Sequence, residues 1–212
     1  MVDDGAARPL TKEARDAVTP DQIIALAKAG NERFRTGRQR NRDLLVEQQR
    51  TAAQQSPAAI VLGCMDSRAP AEVVFDLGLG AIFNCRVAGS VESADVLGSM
   101  EYATKIAGAK LIVVKGHSSC GAIQGAIADA KLGHLTQLLA KIRPAIAETE
   151  YRGTRTADNP EFVDAVARKS VELTVGRVRE SSAVIAELER SGAIKIVGCF
   201  YNLSTGVVDF LS

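Results

Sequence analysis

Residues 110–127 read KLIVVKGHSSCGAIQGAI, and how this stretch divides decides the fold. KLIVVKG (110–116) is a short run rich in β-branched residues and ending on glycine, which marks a buried strand. SSCGAIQGAIADAKLG then takes up helical spacing, so a strand passes directly into a helix. The same alternation repeats on either side. AAIVLGC (58–64), bounded by Pro57, is a strand, and APAEVVFDLGLG reads as a helix closing on glycine. AIFNCRVAG (81–89) is a strand and ESADVLGSMEYATKIAG a helix. Further on, GHLTQLLAKIRPAIAETE is helical until Pro144 disturbs it. PEFVDAVARKSVELTVGRVRESSAVIAELERSG reads as one long helix bent near Gly176. AIKIVGCFYN and GVVDFL form a strand pair joined by Leu203–Ser204–Thr205. Strands alternating with helices predict an α/β fold, a mainly parallel central sheet flanked by helices. The short last connection predicts an antiparallel edge strand.

At 212 residues the chain is expected to be one domain, an N-terminal arm with helices over 1–54 and an α/β core over 55–212. Residues 1–18 read as a loose arm. TPDQIIALAKAGNERFRTG opens a helix with a Thr cap and a Pro in its first turn. A net charge of +1 gives no reason to expect nucleic acid or an anionic membrane as partner. The one dense basic run, RFRTGRQRNR (33–42), reads as a solvated helix end or loop. The N-terminus lacks the apolar core of a secretory signal, and no apolar run approaches the roughly 20 residues that span a bilayer. The expected compartment is therefore the cytoplasm, where four cysteines serve as metal ligands or core residues rather than disulfides.

Polar clusters follow three strands: Cys64–Arg68, Arg86–Ser90 and His117–Gly121. In open α/β sheets the carboxyl ends of strands form the binding crevice, so the three can converge. His117 and Cys120 stand three apart where strand turns into helix, and helix-end N–H groups favour a thiolate at Cys120. They make half of a tetrahedral zinc site, and Cys64 supplies a third ligand. Three protein ligands with one open position mark a catalytic rather than a structural metal. Cys85 and Cys199 lack neighbouring ligands and read as packing residues; His134 follows a glycine at a helix start and reads as exposed. Asp66 is either a fourth ligand or a hydrogen-bond acceptor beside the metal, and Arg68 can fork onto its carboxylate. The reaction class is hydration or hydrolysis by a zinc-bound hydroxide.

CMDSR (64–68), RVAGS (86–90) and GHSSCGA (116–122) resemble the motifs of the β-class carbonic anhydrases, and FYNLSTGVVDFL is similar to that family's terminal hairpin. The similarity is strong over residues 55–130 and looser elsewhere. It implies one Zn2+ per subunit held by Cys64, His117 and Cys120, with an Asp66–Arg68 dyad beside the metal's water. The implied reaction is reversible hydration of carbon dioxide to bicarbonate and a proton. The resemblance also implies dimers or tetramers with the site near the subunit interface, residues 20–54 embracing the partner. In plant-like members a Gln, a Phe and a Tyr line the substrate pocket, and Gln55, Phe83 and Tyr102 fall at those places, with Ala88, Gly89 and Gly121 beside the substrate. The second subgroup closes its site with the Asp and carries a regulatory Trp; this chain has no Trp and places Val61 there, which implies an open site. Ser90 stands where the family usually has Asn. Two other readings stand beside this one: hydrolysis of carbon disulfide or carbonyl sulfide on the same scaffold, and a non-catalytic protein whose Cys64, Asp66, His117 and Cys120 close a structural zinc site.

Overall fold

The computed structural model describes residues 10–211. Among the described residues there are five strands, the first four separated by helices: β1 (Ala59–Gly63), β2 (Ile82–Arg86), β3 (Leu111–His117), β4 (Lys195–Tyr201) and β5 (Val208–Leu211). The helices are α1 (Lys12–Ala17), α2 (Pro20–Arg35), α3 (Leu44–Thr51), α4 (Ala71–Val74), α5 (Ala94–Glu101), α6 (Gly121–Ile127), α7 (Gly133–Ala140), α8 (Arg143–Glu148), α9 (Pro160–Ser181) and α10 (Ala183–Arg190). The strands form one sheet in the order β2-β1-β3-β4-β5, parallel throughout except for the antiparallel β4–β5 pair. The mixed sheet and its antiparallel edge are those expected from the sequence.

Side-chain alternation divides the core. On β1, Ala59 and Val61 face one layer, with Leu111, Val113, Ile23 and Phe75; Ile60 and Leu62 face the other, with Ile112, Val114, Val171 and Val178. Leu62, Ile112 and Val114 are wholly buried, each worth about 1.5–3 kcal/mol of apolar transfer. From β1 the chain steps to β2 on one side and later to β3 on the other, so the β1–β3 boundary is the topological switch point, where α/β sheets open a crevice.

Several local readings change. Residues Lys12–Ala17 are helical rather than loose: Thr11 caps them, and buried Arg15 donates to the Ala107 carbonyl. The rest of the predicted arm, residues 1–9, lies outside the described residues. The helix after Cys64 covers only Ala71–Val74 and ends before the glycines, because Asp76 turns left-handed (φ 47°). The helical pattern from Gly133 is interrupted just ahead of Pro144, as expected: α7 ends at Ala140 and α8 starts at Arg143, with Pro144 in its first turn, where its missing N–H costs nothing. The long C-terminal pattern divides at Ser182, not Gly176: Ser182 is extended and its hydroxyl caps α10 through the Ile185 N–H. Nor is the basic run wholly solvated. Arg33 and Arg42 reach buried Asp76, Arg33 Nε at 2.5 Å, while Arg35 and Arg38 remain exposed. Buried Asn31 joins α2 to both neighbouring turns, donating to the Val74 and Gly206 carbonyls and accepting from the Val208 N–H.

Candidate active site

At the switch point Cys64 follows β1, His117 ends β3 and Cys120 precedes α6. All three are buried, and their ligand atoms lie within 4.8 Å of one another. The two sulfurs are 4.0 Å apart. Two zinc–sulfur bonds of about 2.3 Å at a tetrahedral angle place sulfurs roughly 3.8 Å apart, so the pair already has a zinc-like span. His117 supplies a second indication. Its Nδ1–H donates to the Ser118 carbonyl (2.9 Å), leaving Nε2 as the lone-pair nitrogen, and that buried Nε2 has no hydrogen-bond partner. A soft, half-anionic donor set with one orphaned imidazole nitrogen fits zinc.

The turn carrying these ligands is held from three sides. Ser119 is left-handed (φ 53°), and its N–H donates to Asp164 Oδ1 at 3.0 Å. The Ser118 N–H donates to the Tyr201 carbonyl, and the Ser118 hydroxyl accepts from the Leu203 N–H. Cys64 and Cys120 belong to one buried apolar cluster with Ile123, Leu139, Ile142, Phe162 and Phe200, which lowers the local dielectric. The thiol–thiol contact is the largest influence on both groups: it holds the Cys64 thiol below its ordinary range against the opposing effect of burial, and it pushes Cys120 up together with burial. Thiols must shed their protons to bind a metal, so the zinc affinity of the metal-free protein will rise with pH. Competition titrations at several pH values check this; an affinity that stays flat with pH would remove the thiols from the ligand set.

Asp66 and Arg68 lie at the rim. Arg68 Nε and Nη2 donate to the Asp66 carboxylate at 2.9 and 2.7 Å, and the Arg68 N–H adds a third bond at 3.0 Å. This fork holds the carboxyl well below the usual carboxylate range. Asp66 Oδ2 stands 4.0 Å from His117 Nε2, with Asp66 outside the three-ligand cluster. Arg86, whose role sequence reasoning missed, ties the loop down: Nε donates to the Cys64 carbonyl (3.0 Å) and Nη2 to the Asp66 carbonyl. Its place at the crevice end of β2 was the available signal.

The Gly89 N–H points at Cys64 Sγ (3.4 Å), so this backbone group faces a ligand sulfur. Gly89 has φ 70°, and a Cβ there would lie 2.7 Å from Ile142 Cδ1. Gly89→Ala will cost about 1–3 kcal/mol in backbone strain alone. Denaturant unfolding of the metal-free protein measures the loss; unchanged stability would mean that the turn relaxes freely. Ser90, in place of the family's Asn, is also left-handed (φ 55°), and its hydroxyl donates to the Lys115 carbonyl at 2.8 Å. Ala88 belongs to the same turn, and Gly121 opens α6 with open space where a Cβ would stand.

The remaining predicted residues are not gathered in this way. Phe83 and Tyr102 pack edge to face, ring centroids 6.3 Å apart, in a groove of about 580 Å³ along β2, shared with Cys85 and Asp95. Neither the three ligands nor Asp66 lines that groove, and Gln55 and Tyr102 are exposed. Cys85 is only half-buried, whereas Cys199 is fully buried and its thiol is pushed up to about 12 by burial. His134 is exposed, as expected.

A family model described as carbonic anhydrase matches residues 59–208. Carbonic anhydrase 2 of Mycobacterium tuberculosis is 39% identical over 185 residues, covering 84% of this chain and 86% of the relative. The carbonic anhydrase of Mycolicibacterium smegmatis is 35% identical, covering 87% and 90%. Among solved structures, the β-carbonic anhydrase CafA of Aspergillus fumigatus superposes with a TM-score of 0.70 at 23% identity, covering 91% of this chain and 90% of that one. A tetrameric β-carbonic anhydrase from Sordaria macrospora gives 0.70 at 23% identity, covering 90% and 98%. With the metal-ligand cluster at the switch point and these matches across most of its length, the chain belongs to the carbonic anhydrase family and carries the β-class fold.

Proposed function

We propose that the crevice between β1 and β3 interconverts carbon dioxide and bicarbonate, with Cys64, His117 and Cys120 holding zinc and the Asp66–Arg68 dyad acting at its open side. The observation that carries this reading is the buried Cys64–His117–Cys120 cluster with an ionised, doubly forked carboxylate standing beside it. When bound, zinc supplies a Lewis acid that brings water deprotonation into the neutral range. The chain supplies the rest. His117 is fixed in the tautomer that presents Nε2, by its Nδ1–H bond to Ser118. Asp66 accepts a proton-bearing group aimed at it from the cluster side and orients that group toward carbon dioxide. Arg68 keeps the acceptor ionised and prevents it from swinging. Because Arg68 is largely exposed, this rim is open to solvent, giving protons a short route to buffer.

Gln55, Phe83 and Tyr102 are assigned to a dry pocket wall completed at a contact between two copies of the chain, a dimer or tetramer as in the plant-like, open-site subgroup. Gln55 and Tyr102 are exposed, and Phe83 lies on β2, the edge strand of the sheet, against the Tyr102 ring, which supports that assignment. Tyr102→Phe will keep zinc and lower turnover by no more than roughly fivefold, the worth of one hydrogen bond. Steady-state hydration rates with metal analysis check this; a loss of zinc would place Tyr102 in the metal centre. Four free cysteines support a reducing, cytoplasmic setting. Among the described residues no helix is long and apolar enough to cross a membrane. Stopped-flow carbon dioxide hydration tests the reading: full zinc content without hydration overturns it.

A further inference from the structure

Lys115 is fully buried in the middle of the protein. It lies on β3 directly across from Gly63 of β1, and its stem passes over that glycine, with Cε 3.7 Å from where a Gly63 Cβ would stand. A branched side chain at position 63 would obstruct this path; glycine leaves it open. The ammonium ends 2.9 Å from the Ala69 carbonyl and 5.6 Å from the centre of the Tyr201 ring. Among the described residues no carboxylate pairs with it. A buried lysine without an acid partner is costly, and an apolar residue would fill the same layer without that cost.

What the lysine holds is the loop that carries the dyad. The Ala69 N–H closes the turn onto the Asp66 carbonyl at 3.1 Å, and that carbonyl also accepts from Arg86. Asp66 and Arg68 therefore sit on a turn fixed at its start by Arg86 and at its end by Lys115. Lys115 also supports the neighbouring loop, since its own carbonyl accepts the Ser90 hydroxyl. We propose that Lys115 is a positioning residue for the reaction, anchoring the 66–69 turn from beneath the sheet so that the Asp66 carboxylate keeps its place beside the metal ligands. The role needs only an N–H donor at Nζ, which the side chain offers whether charged or neutral.

The proposal rests on the functional reading above, and its test separates the two. Lys115→Met keeps the stem and removes the donor; Lys115→Arg keeps a donor. Lys115→Met is expected to retain stoichiometric zinc, lose roughly 10-fold to 100-fold in kcat and leave KM within about twofold. Hydrogen exchange supplies the second readout, in metal-free as well as zinc-loaded protein. The Ala69 amide should exchange about tenfold faster in Lys115→Met while β1 and β3 amides stay protected. Lys115→Arg should recover most of both effects. Wild-type kcat and wild-type Ala69 exchange in Lys115→Met, with only the melting temperature lowered, would reduce Lys115 to a packing role and overturn the proposal. If Lys115→Met does not fold, the wild type decides: an unprotected Ala69 amide in the intact protein overturns the proposal, and a protected one that loosens in Lys115→Arg supports it. Should Asp66→Asn hydrate carbon dioxide at the wild-type rate, the functional reading fails, while the Ala69 exchange still reports whether Lys115 holds the turn.

Discussion

Cys120→Ser will fold but will not hold stoichiometric zinc, and hydration activity will fall with the metal. The sulfur it removes lies 4.0 Å from Cys64 Sγ, and no other described cysteine, histidine or carboxylate belongs to the ligand cluster. A serine hydroxyl is shorter, harder and far less acidic than a thiol, so it replaces neither the length nor the charge of the donor. Loss of an outer-shell partner alone costs about 10–100-fold in metal affinity, so loss of a direct ligand should exceed roughly 100-fold. The stability change has the opposite sign in the metal-free protein. Cys120 is the N-cap of α6 and makes no side-chain capping bond, whereas serine is a favoured cap, worth about 0.5–2 kcal/mol over a residue that cannot cap. Metal analysis after dialysis, with thermal melts of both forms, reads the two effects separately. Stoichiometric zinc in the variant would show the ligand assignment to be wrong.

Asp66→Asn separates the ligands from the dyad. The variant will keep zinc, because Asp66 stands outside the three-ligand cluster, and will lose about 10²–10⁴-fold in kcat, the usual worth of a positioned proton acceptor. Asparagine is nearly isosteric but turns one acceptor oxygen into an NH2 group facing the Arg68 guanidinium, so the fork breaks as well as the charge. The pH profile gives a further check. Arg68 depresses the pKa of Asp66, so the anion persists above that depressed value and is lost only as pH falls below the usual carboxylate range. Any loss of hydration activity that sets in while the pH is still above the carboxylate range therefore belongs to another group. Stopped-flow hydration on zinc-loaded protein measures the loss; a variant running at the wild-type rate would remove Asp66 from the chemistry.

Much of this is legible in the sequence. The strands were readable because each is a short apolar run between turn residues, and a strand buried on both faces tolerates little else, as in AIVLG. The candidate metal cluster was readable because Cys64, His117 and Cys120 stand where strands end, and the direction of a parallel sheet brings such ends to one crevice. Helix limits were harder. Ser182 rather than Gly176 ends α9 because an extended backbone with a capping hydroxyl outweighs one weak helix former inside a well-packed helix. The basic run was misread in part because Arg33 and Arg42 find Asp76, more than thirty residues away, and local sequence carries no sign of such a partner.

The sequence by itself determined the element order, the mixed sheet, the convergence of Cys64, His117 and Cys120 and the pairing of Asp66 with Arg68, since each depends on residue type, spacing and strand direction. Only the tertiary structure decided how those groups are held. The Arg86 clamp on two carbonyls, the Ser90 hook, the Lys115 stem crossing Gly63 and the separation of Phe83 and Tyr102 from the ligand cluster depend on register between strands distant in sequence. Hydrogen bonds reach about 3 Å, and a register shift of one residue turns each side chain to the opposite face, so local pattern cannot specify them.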